Sequence, residues 1–189
     1  MLNITAEDIR QGIDSTCKNN IWFFVFKNAV IENPTWETFI DHINEEIHKP
    51  MDSPINVDKP FDERVINGVV LKSLFYIDSR LRNLDRFPVA KEIVESFSDA
   101  LDEDIYPASV FVNFVGREFN VPRHFDERET IFWQCQGTTF WHIYPPESEF
   151  PMSVELSPGD MVYVPKGIRH EVIVDKPRAA IAFGYKNEK

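Results

Sequence analysis

The sequence predicts a mainly β protein, an antiparallel sandwich or barrel with a helical N-terminal part packed against it. Three observations carry that reading. From Tyr106 onward, short runs of β-branched and aromatic residues recur every roughly 8 to 12 residues, separated by Pro, Gly, Asp or Ser. Before that point the apolar residues mostly keep helical spacing. The chain has 189 residues, 43% of them hydrophobic and 13% aromatic, which is the size and content of one globular core.

The elements follow in order. Thr5, with Asp8 three residues later, forms the pattern of a capping box and opens a short helix ending near Thr16. The apolar run Ile21 to Phe26 is too short and too β-prone for a helix, so a buried strand is expected. Asn33-Pro34 starts a second helix, with Pro34 at its first position and Trp36, Phe39, Ile40, Ile43 and Ile47 on one stripe. Pro50, Pro54 and Pro60 mark residues 48–62 as an irregular connection. A third helix is predicted from Pro88 to Leu101, burying Val89, Ile93, Val94, Phe97 and Leu101. The predicted strands are Ser109–Val115, Thr130–Cys135, Thr139–Tyr144, Met152–Leu156, Met161–Val164, Glu171–Val174 and Ala179–Tyr185. No linker divides the chain. Residues 1–105 are therefore expected to pack on a β core formed by 106–189 as one structural domain.

Composition excludes several function classes. Twenty Lys and Arg against 31 Asp and Glu give a net charge of −11. Such a chain repels phosphate backbones and anionic lipid, which argues against nucleic acid or a membrane surface as partner. The longest early apolar run falls far short of the roughly 18 residues a bilayer demands. Cys17 and Cys135 are too few and too distant for a disulfide framework and read as reduced thiols, consistent with a cytoplasmic protein.

Of five histidines, three read as structural or solvated: His42 and His48 sit among Glu and Asn, and His142 follows Trp141 in a strand. His124 and His170 differ. His124-Phe125-Asp126 sets two ligand-type side chains two residues apart, the same-face spacing of a strand. Further on, Gly159-Asp160 turns into a short apolar strand, and Pro165 and Gly167 turn the chain back at His170. That corner aims a histidine toward the His-x-Asp pair.

The spacing Gly159, five residues, Pro165, one residue, Gly167, two residues, His170 resembles the second motif of the cupin superfamily. His124, Asp126 and Gly137 resemble its first motif, with Thr130 where many cupins carry a glutamate. His-x-Asp followed by a distal His is similar to the facial triad of the JmjC-type, cupin-fold Fe(II)/2-oxoglutarate oxygenases. So is the aromatic-rich stretch from Phe132 to Pro146. The resemblance covers Tyr106 to Tyr185 and implies a double-stranded β-helix (cupin or jelly-roll) core with Fe(II) on His124, Asp126 and His170. Two His and one carboxylate on one face leave positions open for a bidentate co-substrate and O₂, whereas structural zinc would close all four of its positions.

The family commonly holds the distal carboxylate of 2-oxoglutarate with a Lys two residues after the glycine; that position is Thr139 here. Arg178, eight residues after His170, resembles the arginine of prolyl-hydroxylase-type enzymes, and its fork can pair a carboxylate. Thr130 and Thr139 are candidate hydroxyl donors to the same co-substrate. Arg117, Asn120 and Arg123 are candidate rim residues, and one or two of Phe132, Trp133, Phe140, Trp141 and Tyr144 are expected to line a cleft. The leading function is thus an Fe(II)- and 2-oxoglutarate-dependent oxygenase, a hydroxylase of a small molecule, amino acid or peptide. A metal-dependent cupin acting without 2-oxoglutarate (dioxygenase, isomerase or cyclase) and a non-catalytic binding cupin stand as alternatives. Cupins often dimerise, so a homodimer is part of the same expectation.

Overall fold

Helices form where the sequence caps them. Helix α1 (Ala6–Ser15) starts at Thr5, whose hydroxyl accepts the Asp8 amide at 3.2 Å while the Asp8 carboxylate accepts the Thr5 amide at 2.8 Å. Helix α2 (Trp36–Ile47) begins later than the Asn33-Pro34 signal predicts, because the Thr35 hydroxyl accepts the Thr38 amide and takes over the cap. Helix α3 (Pro88–Leu101) spans the predicted residues, with proline in its first turn, and stops where Asp102 adopts a left-handed φ of 53°. The computed structural model describes residues 1–16, 18, 21–47, 76–79, 81, 84–114 and 120–185. The expected connection 48–62, Cys17, His48 and Arg117 lie outside the described residues.

The strands among the described residues are β1 (Phe24–Phe26), β2 (Tyr76–Ser79), β3 (Ile105–Asn113), β4 (Val121–His124), β5 (Glu129–Gln136), β6 (Thr139–Tyr144), β7 (Met152–Leu156), β8 (Met161–Val164), β9 (Arg169–Ile173) and β10 (Arg178–Tyr185). They form one sheet in the order β1-β8-β5-β10-β3-β2 and a second in the order β4-β9-β6-β7. Every pairing is antiparallel. The four strands β8-β5-β10-β3 facing β4-β9-β6-β7 make the double-stranded β-helix. Strands β1 and β2 extend the larger sheet at its two edges, so the N-terminal part supplies strands as well as helices. Strand β1 is shorter than the predicted Ile21–Phe26 because its register on β8 covers only Phe24 to Phe26.

Two hydrophobic cores stack in three layers. One lies between the helices and the outer face of the larger sheet, joining Ile9, Phe39, Ile93 and Phe97 to Trp133, Ile181 and Phe183. The other fills the space between the sheets with Phe132, Trp141, Ile143, Val162, Val172 and Ala180. Both faces of the larger sheet are covered, which is why Ile131 to Cys135 are buried without alternation. Each fully buried large side chain among them contributes about 1.5–3 kcal/mol relative to exposure. Helix α1 packs so closely on β1 that a Cβ at Gly12 would stand 2.7 Å from the rings of Phe24 and Phe26. Two details correct the sequence reading. His42 is 4% exposed and packs its ring edge-on against Phe87, because it lies three residues from Phe39 on the apolar stripe. Ile40, assigned to that stripe, is 45% exposed.

Cys135 is a buried, unbridged thiol. Among the described residues, no helix is long and apolar enough to cross a membrane.

Candidate metal centre and its cavity

The site begins with an irregularity in β4. Across the β4–β9 pair, Val121 faces Val172 and His124 faces His170, so β4 carries one more residue than β9 over this interval. This β-bulge reverses the alternation. Val121 and His124, three apart, both line the space between the sheets, while Arg123 turns outward to Glu149. Pro122 is tolerated there because β4 is an edge strand. Strand β4 ends at His124, and Asp126 belongs to the following turn rather than to the strand the sequence implied. That turn is tied to the Pro165–Ile168 corner by the Gly167 amide, which donates to the Asp126 carbonyl at 3.0 Å. Gly167 has φ of 80°, a conformation that glycine supplies at no steric cost.

His124, Asp126 and His170 consequently converge, with one potential ligand atom from each within 4.8 Å of the others. Asp126 Oδ1 lies 3.9 Å from His124 Nε2, and Oδ2 lies 3.8 Å from His170 Nε2. His124 Nδ1 is 2.8 Å from the Pro122 carbonyl, and His170 Nδ1 is 3.0 Å from the Ile168 carbonyl. A carbonyl can only accept, so each Nδ1 donates its proton and each Nε2 faces Asp126. Burial disfavours the His170 imidazolium and the neighbouring His124 adds to this, so its pKa falls below the ordinary value although the Ile168 carbonyl pulls the other way. The Trp141 ring lies stacked on His170 at 5.3 Å and 21°, holding the imidazole from the third side. Two imidazoles and a carboxylate, pre-oriented by outer hydrogen bonds, fit a divalent transition metal with open positions.

The cluster opens on a cavity of about 600 Å³. Phe132 and Trp141 line it, as the expectation of one or two cleft aromatics has it. Trp133 faces the helical layer instead and donates Nε1 to Asn33 at 2.9 Å. Arg178 lines the cavity, is 1% exposed, and lies 5.6 Å from the Phe132 ring and 5.9 Å from Phe111. It opens β10, whose Ala182 and Gly184 line the same wall; from Arg178 to Gly184 the strand rises about 20 Å.

The two threonines separate. Thr130 lines the cavity and donates its hydroxyl to Asp126 Oδ2 at 3.0 Å, so it touches the ligand set itself. Thr139 does not line it; its buried hydroxyl donates to Gln134 Oε1 at 3.0 Å. Neither Asn120 nor Arg123 stands at the cavity rim. The Asn120 side chain accepts the Val174 amide at 2.8 Å. The residues that do stand at the mouth, Tyr106, Glu127 and Arg128, carried no motif and were not singled out in the sequence.

Fold and cluster together give a double-stranded β-helix with a His-Asp-His cluster in its cavity. Solved structures support the fold. The chain superposes along its whole length on the ribosomal oxygenase YcfD from Escherichia coli in complex with cobalt and succinic acid, with a TM-score of 0.64 and 16% identity. A complex of the same protein with cobalt and 2-oxoglutarate gives a TM-score of 0.62 and 15% identity. The chain spans about half of those structures, 53% in each case. In sequence, it is 32% identical over 69 residues to the bifunctional lysine-specific demethylase and histidyl-hydroxylase NO66 of Drosophila persimilis. That match covers 28% of this chain and 10% of the Drosophila protein. No protein-family model matches the chain.

Proposed function

We propose that this protein is an Fe(II)- and 2-oxoglutarate-dependent oxygenase, hydroxylating a small molecule, amino acid or peptide. One observation carries the reading: a His-Asp-His cluster and a buried arginine, Arg178, line a single cavity. The cobalt, succinate and 2-oxoglutarate complexes of the ribosomal oxygenase that shares the fold support it.

In this reading His124, Asp126 and His170 hold the iron through Nε2, a carboxylate oxygen and Nε2. Iron with 2-oxoglutarate and O₂ supplies the oxidative decarboxylation that drives hydroxylation. The chain's own contribution is position and environment. Carbonyls of Pro122 and Ile168 fix the imidazole tautomers, and Thr130 orients the carboxylate. Arg178 offers a charged fork for the distal carboxylate of the co-substrate in an apolar setting, where an unpaired carboxylate would be costly. Phe111, Phe132 and Trp141 keep water from that part of the cavity. Thr139, with its hydroxyl on Gln134, has no part in the scheme.

The orientation of Arg178 into the cavity favours use of 2-oxoglutarate over a cupin reaction without it. The test is to add 2-oxoglutarate to anaerobic Fe(II)-loaded protein and follow the metal-to-ligand charge-transfer band, then admit O₂ and assay succinate. A band and succinate are expected. Iron binding without either would favour a cupin enzyme that does not use 2-oxoglutarate.

A further inference from the structure

We infer that the Arg128–Tyr106 pair at the cavity mouth recognises a carboxylate on the substrate; this rests on the cavity being the substrate site proposed above. Arg128 lies two residues before Thr130 and lines the same cavity wall, about 7 Å along the chain from the hydroxyl-bearing residue that touches Asp126. Its Nη1 donates to Tyr106 Oη at 2.6 Å, and its guanidinium lies 5.6 Å from the Tyr106 ring. That contact holds the side chain at the mouth without neutralising it. No carboxylate among the described residues pairs with Arg128. The contrast with the other side of the barrel is direct: Arg123 and Arg169 both bond Glu149. In a chain with 31 acidic and 20 basic residues, an arginine left with a neutral phenol at a cavity mouth is a ready anion receptor.

The geometry favours a carboxylate over a phosphate. With Nη1 engaged by Tyr106, one bidentate edge of the fork remains, which matches two carboxylate oxygens. A doubly charged phosphate would meet the neighbouring Glu127 and Asp126 with only one cation to offset them. Arg178, the other arginine of the cavity, lies at the far end of β10 and is assigned to the co-substrate. The two arginines thus stand toward opposite ends of the β10 wall, one for each organic partner. The substrate class is a carboxylic acid whose reacting carbon lies a few bonds from the acid group.

The test uses Co(II)-loaded protein and two matched pairs of probes: N-acetyl-leucine and N-acetyl-phenylalanine, each with its primary amide. Ligand-observed NMR reads binding with and without 2-oxoglutarate. For at least one pair the acid is expected to bind tenfold or more tighter than the amide. Arg128→Gln should abolish that preference and Arg128→Lys should restore part of it. In the anaerobic Fe(II)-loaded form, the charge-transfer band with 2-oxoglutarate should appear equally in Arg128→Gln, which separates this arginine from Arg178. Equal binding of acid and amide, an acid preference that survives Arg128→Gln, or no binding of either acid would overturn the proposal. Failure of 2-oxoglutarate to bind the parent protein would overturn the oxygenase reading instead, and the acid preference would still be read in its absence.

Discussion

His124 and His170 are register partners across the β4–β9 pair, and their rings lie 4.3 Å apart at 57°. The His-Asp-His cluster is therefore a cross-strand pair plus one turn residue, Asp126, tethered to the opposite corner by the Gly167 amide. His170 is the buried member, at 3% exposure, and is gripped on three sides by Ile168, Trp141 and His124.

Removing it should empty the centre while sparing the barrel. His170→Ala is expected to lower Co(II) affinity by more than about a hundredfold, beyond the loss typical of an outer hydrogen-bond partner. Isothermal titration of Co(II), beside a circular dichroism melt, checks both halves. Unchanged Co(II) binding would exclude His170 as a ligand.

On the proposed function, Thr130 would act on the metal through Asp126, to which it donates at 3.0 Å. Thr130→Val keeps the shape and deletes the donor, so Co(II) affinity should fall about 10- to 100-fold. The visible absorption of the Co(II) form should shift as well, because the carboxylate is freed to reorient. Thr130→Ser should recover most of the loss.

Arg178→Ala should weaken 2-oxoglutarate binding by about two to three orders of magnitude, the equivalent of about 3–4 kcal/mol for a buried pair that loses one partner. Metal affinity should stay near that of the parent. Arg178→Lys should recover only part, since a point charge lacks the fork. Titration of the charge-transfer band in the three proteins decides it.

Asp160 predicts an acid limit to stability. Burial alone would raise its carboxyl pKa, but Lys27 at 2.7 Å and the Ser157 and Asn28 amides at 2.9 Å outweigh that and hold it below the ordinary value. The folded protein thus keeps this carboxylate charged to lower pH than the unfolded chain does. Its contribution is complete above the unfolded value of about 4 and is lost as the pH falls through the lower folded one. Asp160→Asn should destabilise by about 2–3 kcal/mol at neutral pH. The gap between the two proteins should narrow below about pH 4, as urea titrations at several pH values would show.

Much of the β core was legible because its turns are written in Pro and Gly. The predicted bounds Thr139–Tyr144, Met152–Leu156 and Met161–Val164 coincide with the strands β6, β7 and β8. Strand β2 was not legible, because Tyr76–Ser79 is a strand only by virtue of pairing with β3 across the intervening helix. In the candidate site, three groups the sequence singled out converge, but for a reason that differs in part: same-face alternation was assumed for His124 and Asp126, whereas a bulge and a turn bring them together. Thr139 shows the limit of counting from a glycine. The count fixes a position along β6, yet Gln134, five residues back, decides where the hydroxyl goes. His42 was readable in hindsight from its i+3 spacing to Phe39.

The extra residue in β4 has a consequence for how such proteins are altered and how their relatives diverge. Deleting a single codon at Pro122 or Arg123 would leave His124, Asp126 and His170 all present in the sequence. The shortened strand would pair with β9 in plain alternation, keeping Val121 opposite Val172 and His124 opposite His170 on one face. A strand one residue shorter between Val121 and His124 is thus compatible with the same cross-strand histidine pair, without the bulge.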